Sequence, residues 1–242
     1  MVSFSSISNV ITTICQIAEA SRKAPDRPRC SLFVRYTSAK GLARHRLWWL
    51  DSRAGWLGSS SVVYSFGVGN DISFDLAVIQ RFGSAVHGFD PSPPVAEWIG
   101  TQDLPVNYTF HRYGLAATDG EIAFFAPSPR SGTFSTTNQH QHVSDVEVKL
   151  PVRTLATTVS SLGSSCIDIL KIDVEGTEYE LISQIINCPV PIGQLLVEFH
   201  HRAGVGSLDA TVRSVQQLRA AGFQLFHVSE TSSEFSFLRR RD

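Results

Sequence analysis

From residue 62 onward the chain alternates short apolar, β-branched runs with longer stretches whose apolar residues recur every three or four positions. The first pattern is that of a buried strand, the second that of a helix with one apolar face. Residues 62–66 predict a strand, and Ile72, Phe74, Leu76, Ala77 and Ile79 predict a helix that begins near Asp71. A second strand is expected at 84–90, a short helix at 95–99 after Pro91-Ser92-Pro93-Pro94, and a third strand at 107–113. Strands at 121–126 and 146–152 flank a polar loop, 127–145, and a short helix follows at 154–162. Next come strand 167–173, a helix whose apolar face is Tyr179, Leu181, Ile182, Ile185 and Ile186, strand 194–199 and helix 212–221. Strands at 223–228 and 234–238 are joined by so short a turn that they must run antiparallel. The succession reads as an α/β domain, a mostly parallel sheet that ends in an antiparallel pair.

Ahead of residue 62 the pattern changes. Ile7, Val10, Ile11, Ile14 and Ile17 mark one face of a helix, and Pro25 and Pro28 close it. Residues 1–61 therefore read as an N-terminal helical extension or lid, and 62–242 as the ligand-binding domain. Residues 22–53 hold nine Lys/Arg against Asp26 and Asp51, either a solvated linker or a basic flank that guides an anionic substrate. Three of the four tryptophans stand beside arginines in 44–56, where cation–π packing on the domain surface accounts for them and a substrate-contacting flap is the alternative. Over the whole chain the charge is −1, which argues against general nucleic-acid binding. Cys15, Cys30, Cys166 and Cys188 are widely spaced and form no zinc knuckle. With no long apolar run and no basic-then-apolar leader, the expected location is cytoplasmic, without an integral membrane segment.

Candidate chemistry gathers at the strand ends. Gly67 and Gly69 let the backbone turn sharply and a ligand come close. Asp90 lies 21 residues after Gly69, near the ~20-residue separation at which the acidic tip of a second strand reaches ribose hydroxyls. A dinucleotide loop asks for a third glycine to seat a pyrophosphate. Ile72 stands at that position, and Asp71 at the helix start would repel phosphate while suiting a cation. S-adenosylmethionine meets both conditions, being a phosphate-free nucleoside with a positive sulfonium. Leu115 and Ala116, in the small apolar loop 114–120, would leave room for its adenine ring.

The segment Leu170-Lys171-Ile172-Asp173-Val174-Glu175-Gly176-Thr177-Glu178-Tyr179 resembles the signature of FkbM-type methyltransferases. Tyr64-Ser65-Phe66-Gly67-Val68-Gly69-Asn70-Asp71, Gly88-Phe89-Asp90-Pro91-Ser92 and Val197-Glu198-Phe199-His200-His201 look closer to the eukaryotic methyltransferase-like protein 24 group within it. The likeness runs from about residue 62 to 238. It implies a class I methyltransferase (Rossmann-like) three-layer sandwich, with seven strands in the order 3-2-1-4-5-7-6. It also implies S-adenosylmethionine as cofactor and methyl transfer, usually to a hydroxyl oxygen. Two positions depart from the family pattern: Ser65 stands where an acid is common, and Leu155-Ala156 where Leu-Asp is common.

In the implied order, the strand ending at Asp173 lies beside the one ending at Gly67, about 4.8 Å away, and the strand bearing Glu198 and His200 comes next. The expected cofactor contacts are Ser65, Gly67, Gly69, Asp71, Asp90, Leu115, Ala116 and Asp173. His200 is the expected base, since an unshifted imidazole with a pKa near ~6.5 accepts protons at neutral pH. Asp173 and Glu175 are expected to orient the acceptor or the sulfonium. Glu198 and His201 could instead cap a strand end, and Glu178 could be a helix-surface charge. No metal is assigned, although Asp173, Glu198 and His200 are of the types that hold divalent cations. The function so read is O-methylation of a hydroxyl on a small molecule or sugar. A non-catalytic nucleoside-binding or interaction module is one alternative. An NAD-dependent oxidoreductase is the other, disfavoured by Ile72 and the antiparallel end.

Overall fold

The computed structural model of the chain describes residues 30–35, 47–51, 57–127, 134–136, 143–201 and 206–239. At its centre are apolar strands covered on both faces, the situation that parallel strands require. Every residue of β9 (Ile167–Ile172) and β10 (Ile192–Glu198) is buried. On one side of them lie β3 (Val62–Phe66), β4 (Ala85–Phe89) and β5 (Tyr108–His111), and on the other β11 (Phe223–Val228) and β12 (Glu234–Arg239). The sheet order is β11-β12-β10-β9-β3-β4-β5, the 3-2-1-4-5-7-6 winding. Strand β12 runs antiparallel to both of its neighbours, and all other pairs are parallel.

Side chains alternate between two cores, as the two-residue period of a strand demands. Val63, Val86, Ile169 and Leu196 face α1 (Ser73–Phe82) and α2 (Pro93–Ile99), through Phe74, Val78, Val95 and Ile99. Tyr64, Leu170 and Leu195 face α3 (Leu155–Leu162), α4 (Glu178–Ile186) and α5 (Leu208–Ala220), through Val159, Leu181, Ile185 and Val215. The result is the expected three-layer sandwich. Each fully buried aliphatic or aromatic side chain contributes roughly 1.5–3 kcal/mol. Helix ends are set locally: Thr154 caps Thr157 N–H at the start of α3, and Gly163 in the left-handed region ends that helix.

Several details differ from the sequence expectations. Leu76, assigned to the apolar face of α1, is exposed, and Asp75 takes the inward place instead. The stretch expected to be loop from 127 to 145 is partly sheet, because β7 (Gly120–Pro127) and β8 (Val143–Arg153) form a long antiparallel pair. Strand β6 (Gly114–Leu115) adds to its edge. Residues taken as linker and tryptophan-rich surface contain β1 (Cys30–Arg35) and β2 (Leu47–Asp51), an antiparallel pair whose second strand runs near β12. The helix expected over 7–17 lies outside the described residues. Among those described, no helix is long and apolar enough to cross a membrane.

Candidate active site

Parallel strands all point their C-terminal tips the same way, so the loops that follow β3, β4, β9 and β10 meet at one edge of the sheet. Gly67 shows how close that meeting is. Its φ is 75°, and a Cβ built on it would fall 1.7 Å from the Asp173 carbonyl oxygen. Only a residue without a side chain lets the two backbones touch. Hydrogen bonds tie the same three tips together: Asp173 N–H donates to Phe66 O (3.1 Å), Gly67 N–H to Phe89 O (2.9 Å) and Gly69 N–H to Asp90 Oδ2 (3.0 Å). Gly67, Gly69, Asp90 and Asp173 therefore border a single crevice.

The residues of this crevice fit a nucleoside. A Cβ on Gly69 would meet nothing within 4 Å, so space opens over the loop. The Asp90 carboxylate is fixed at the strand tip by Gly69 N–H and, through Oδ1, by the N–H (2.9 Å) and hydroxyl of Ser92. Burial pushes its carboxyl pKa up, against those hydrogen bonds. A carboxylate held in this way presents its remaining lone pairs as acceptors for ribose hydroxyls.

Four expected contacts have other positions. Asp71 Oδ1 accepts from Ser73 N–H (2.7 Å), so this side chain closes a turn at the entry to α1. Ser65 is fully buried beneath the loop, opposite Lys171 in the β3–β9 register and beside Asp75 of α1. Leu115 and Ala116 belong to two hydrophobic clusters, Leu115 with Tyr113 and Leu155, and Ala116 with Phe124, Leu150 and Val152. The Ala116 carbonyl accepts from Gln184 Nε2 (2.8 Å), which anchors the small sheet to α4. These two residues pack the core and offer no open face to an adenine ring.

Beside Asp173 the turn after β9 brings carboxylates around one imidazole. Glu175 is at φ 43°, sparsely populated for a residue with a side chain, and Gly176 follows at φ 125°. This turn swings Glu175 Oε2 to 3.3 Å from His200 Nε2. Asp173 Oδ1 and Glu198 Oε1 each lie 3.8 Å from the same nitrogen. On the opposite side of the ring, Glu178 Oε1 is 3.2 Å from Nδ1 and also accepts the His200 backbone N–H (2.8 Å). Its second oxygen accepts Gly176 N–H (2.8 Å).

Burial by itself would lower the His200 pKa, but the Glu178 hydrogen bond and the charges of Glu175, Glu198 and Glu178 together raise it to about 10. Burial would likewise raise Glu178, and its bonds to His200 bring it below the usual range. His200 is thus held as an imidazolium at neutral pH, not in the proton-accepting form expected of an unshifted ring. Asp173, Glu175 and His200 also offer one ligand atom each within 4.8 Å of one another, a set that could hold a metal ion.

Glu178 is the residue the sequence reading placed worst. Taken as a surface charge, it is 0% exposed. The signal was present: Glu178, Leu181, Ile182 and Ile185 are spaced i, i+3, i+4, i+7, which puts the acid on the buried face of α4. Asp75 follows the same logic, with Val78 one turn further on.

The fold and its site can be set beside known proteins. A family model described as the methyltransferase FkbM domain matches residues 57–225. The chain is 28% identical over 190 residues to the probable methyltransferase-like protein 24 of Homo sapiens and, to the same extent, to that of Rattus norvegicus. The alignment covers 74% of this chain but 46% of each relative, so the chain spans about half the length of the relatives it matches. Among solved structures, an rRNA methylase from Streptococcus thermophilus aligns with TM-score 0.44 and 14% identity, covering 78% of this chain and 92% of that one. Aeropyrum pernix fibrillarin with bound S-adenosyl-L-methionine aligns with TM-score 0.41 and 8% identity, covering 75% and 66%. With the family model matched over more than half of its length, the chain belongs to the FkbM-domain methyltransferases, whose cofactor is S-adenosylmethionine.

Proposed function

We propose that the chain transfers the methyl group of S-adenosylmethionine to a hydroxyl oxygen of a small-molecule or glycan acceptor, seated over the tips of β9 and β10. The observation that carries this reading is the junction of the Gly67–Gly69 loop, Asp90 and Asp173 at one crevice, with the His200 carboxylates adjoining it. Ribose hydroxyls would donate to Asp90, and the nucleoside would pass over the open side of Gly69. The sulfonium would face Asp173 and Glu175, whose negative charge suits it. Transfer is an in-line displacement: the acceptor oxygen bonds to the methyl carbon as the carbon–sulfur bond breaks, and the hydroxyl proton leaves. Positioning supplies much of the acceleration, and proton removal a further ~10²–10⁴-fold. Glu175, the most exposed of the carboxylates around His200, is the group placed to receive that proton. His200 then acts as the fixed cation that holds Asp173 and Glu175 in place, a different role from the base that its residue type suggests.

Calorimetric titration with S-adenosylmethionine, S-adenosylhomocysteine and NAD tests the donor half. Binding in the micromolar range is expected for the first two and none for NAD, and failure of both adenosyl ligands to bind would sink the proposal. If the cofactor binds but a broad panel of hydroxylated acceptors yields no methylated product, a non-catalytic binding module becomes the better reading.

A further inference from the structure

We infer that the tips of β9 and β10 form a divalent-cation site, with Asp173, Glu175 and His200 as the protein ligands. It is a different set from the Asp173, Glu198 and His200 grouping that residue types alone bring to mind. Three features of the geometry carry it.

The first is the size of the donor set. One oxygen of Asp173, one oxygen of Glu175 and one ring nitrogen of His200 lie within 4.8 Å of one another. Ligand bonds of about 2.0–2.5 Å place donors around one ion at separations no greater than about 5 Å, so a single cation can reach all three.

The second is the orientation of the imidazole. Glu178 occupies the Nδ1 side of the ring and is completely buried, and it also accepts the His200 backbone N–H. Nε2 is thereby turned toward Asp173 and Glu175, and a cation bound there displaces the proton that the ring carries in the metal-free protein, releasing it to solvent. A carboxylate on one ring nitrogen that fixes the other for coordination is the usual support of a metal-bound histidine.

The third is rigidity. Asp173 follows a fully buried central strand and is bonded to Phe66 O, while His200 follows another such strand, where Phe199 N–H donates to Ser233 O (2.8 Å). Ligands carried on neighbouring strand ends keep their spacing, which loop ligands do not.

Two carboxylates and one imidazole form a mixed oxygen and nitrogen set that suits Mn²⁺ or Zn²⁺ better than a purely oxygen-seeking ion. Three protein ligands leave positions for acceptor oxygens. The cation's role in drawing in an acceptor rests on the methyltransferase reading, but its binding does not.

The test uses the full chain, stripped with chelator and free of cofactor, titrated with Mn²⁺ while the paramagnetic resonance signal of the free ion is followed. One equivalent is expected to bind. Glu175→Gln and His200→Gln are each expected to weaken it at least tenfold. Glu175 is half-buried in a turn outside the hydrophobic clusters, and Gln keeps its volume, so Glu175→Gln disturbs no core packing, and circular dichroism checks that both variants fold. Absence of saturable binding up to about 1 mM, or an unchanged affinity in Glu175→Gln, overturns the inference. Titration of S-adenosylhomocysteine in the presence of chelator reads the methyltransferase proposal separately, so either can fail alone.

Discussion

Two helix carboxylates, Asp75 of α1 and Glu178 of α4, do the same local job with opposite results. Each sits on the apolar stripe of its helix and faces a basic side chain of the sheet: Asp75 feels the charge of Lys171, one residue before the end of β9, and Glu178 bonds to His200 just beyond the end of β10. At Asp75 burial dominates and raises the carboxyl to about 6 despite Lys171 and Ser65. At Glu178 burial also pushes upward, but the hydrogen bonds and the charge of His200 outweigh it, and the charged form is favoured. Position along the strand makes the difference. The Asp75–Lys171 pair is covered within the sheet, whereas the Glu178–His200 pair lies past the strand end, where Nε2 of His200 faces Asp173 and Glu175.

The largest expected effect separates the two directly. His200→Ala, which removes the cation that holds Asp173 and Glu175, should lower turnover by about 10²-fold while cofactor affinity stays within a few-fold, measured as kcat against calorimetric Kd. Unchanged turnover would place His200 with the structural pair. The converse change, Asp75→Ala, leaves the Lys171 charge buried without this carboxylate and should cost about 3 kcal/mol in urea unfolding, with turnover per folded molecule intact. A third variant probes support without contact: Glu178→Gln keeps the volume but weakens the hold on Nδ1, and about a tenfold loss of turnover is expected.

The smallest effect is in pH dependence, followed as the unfolding midpoint in chelator. Glu178 has a lowered pKa, so its contribution is present above its unfolded value of 4.5 and fades as pH falls. His200 has a raised one, so its contribution is complete below 6.5 and is lost as pH climbs toward about 10. Asp75 opposes Glu178 and shares the sign of His200, since its raised pKa makes stability fall as pH rises from 3.8 to about 6. The midpoint should therefore decline from about pH 6.5 to about pH 10, and His200→Gln should flatten that decline.

These contrasts also explain what could be read from the sequence. The central strands were legible because their apolar runs are long and both flanks are marked, by Gly67 after β3 and by Asp173 after β9. That Gly67, Gly69, Asp90 and Asp173 meet at adjoining strand tips was legible because the residues after parallel strands gather at one edge at fixed spacings. Ser65, Leu115 and Ala116 were misplaced because neighbours in sequence alternate between faces, and only the sheet register decides which face meets a ligand. The state of His200 was beyond reach for another reason. Its pKa depends on three carboxylates drawn from residues 175 to 198, and no local window contains their distances. Strands β1 and β2 escaped notice because arginines and tryptophans masked the apolar run of each.

Strand β12 follows every other strand of the large sheet in the chain, yet it lies between β10 and β11, and its Glu234 is opposite Glu198. A nascent polypeptide leaves the ribosome amino end first, so β10 must wait with one flank bare until residues 234–239 clear the exit tunnel. Completion of this edge thus waits on residues 234–239, and a premature stop upstream of β12 would expose an apolar margin at the very strand that leads into His200.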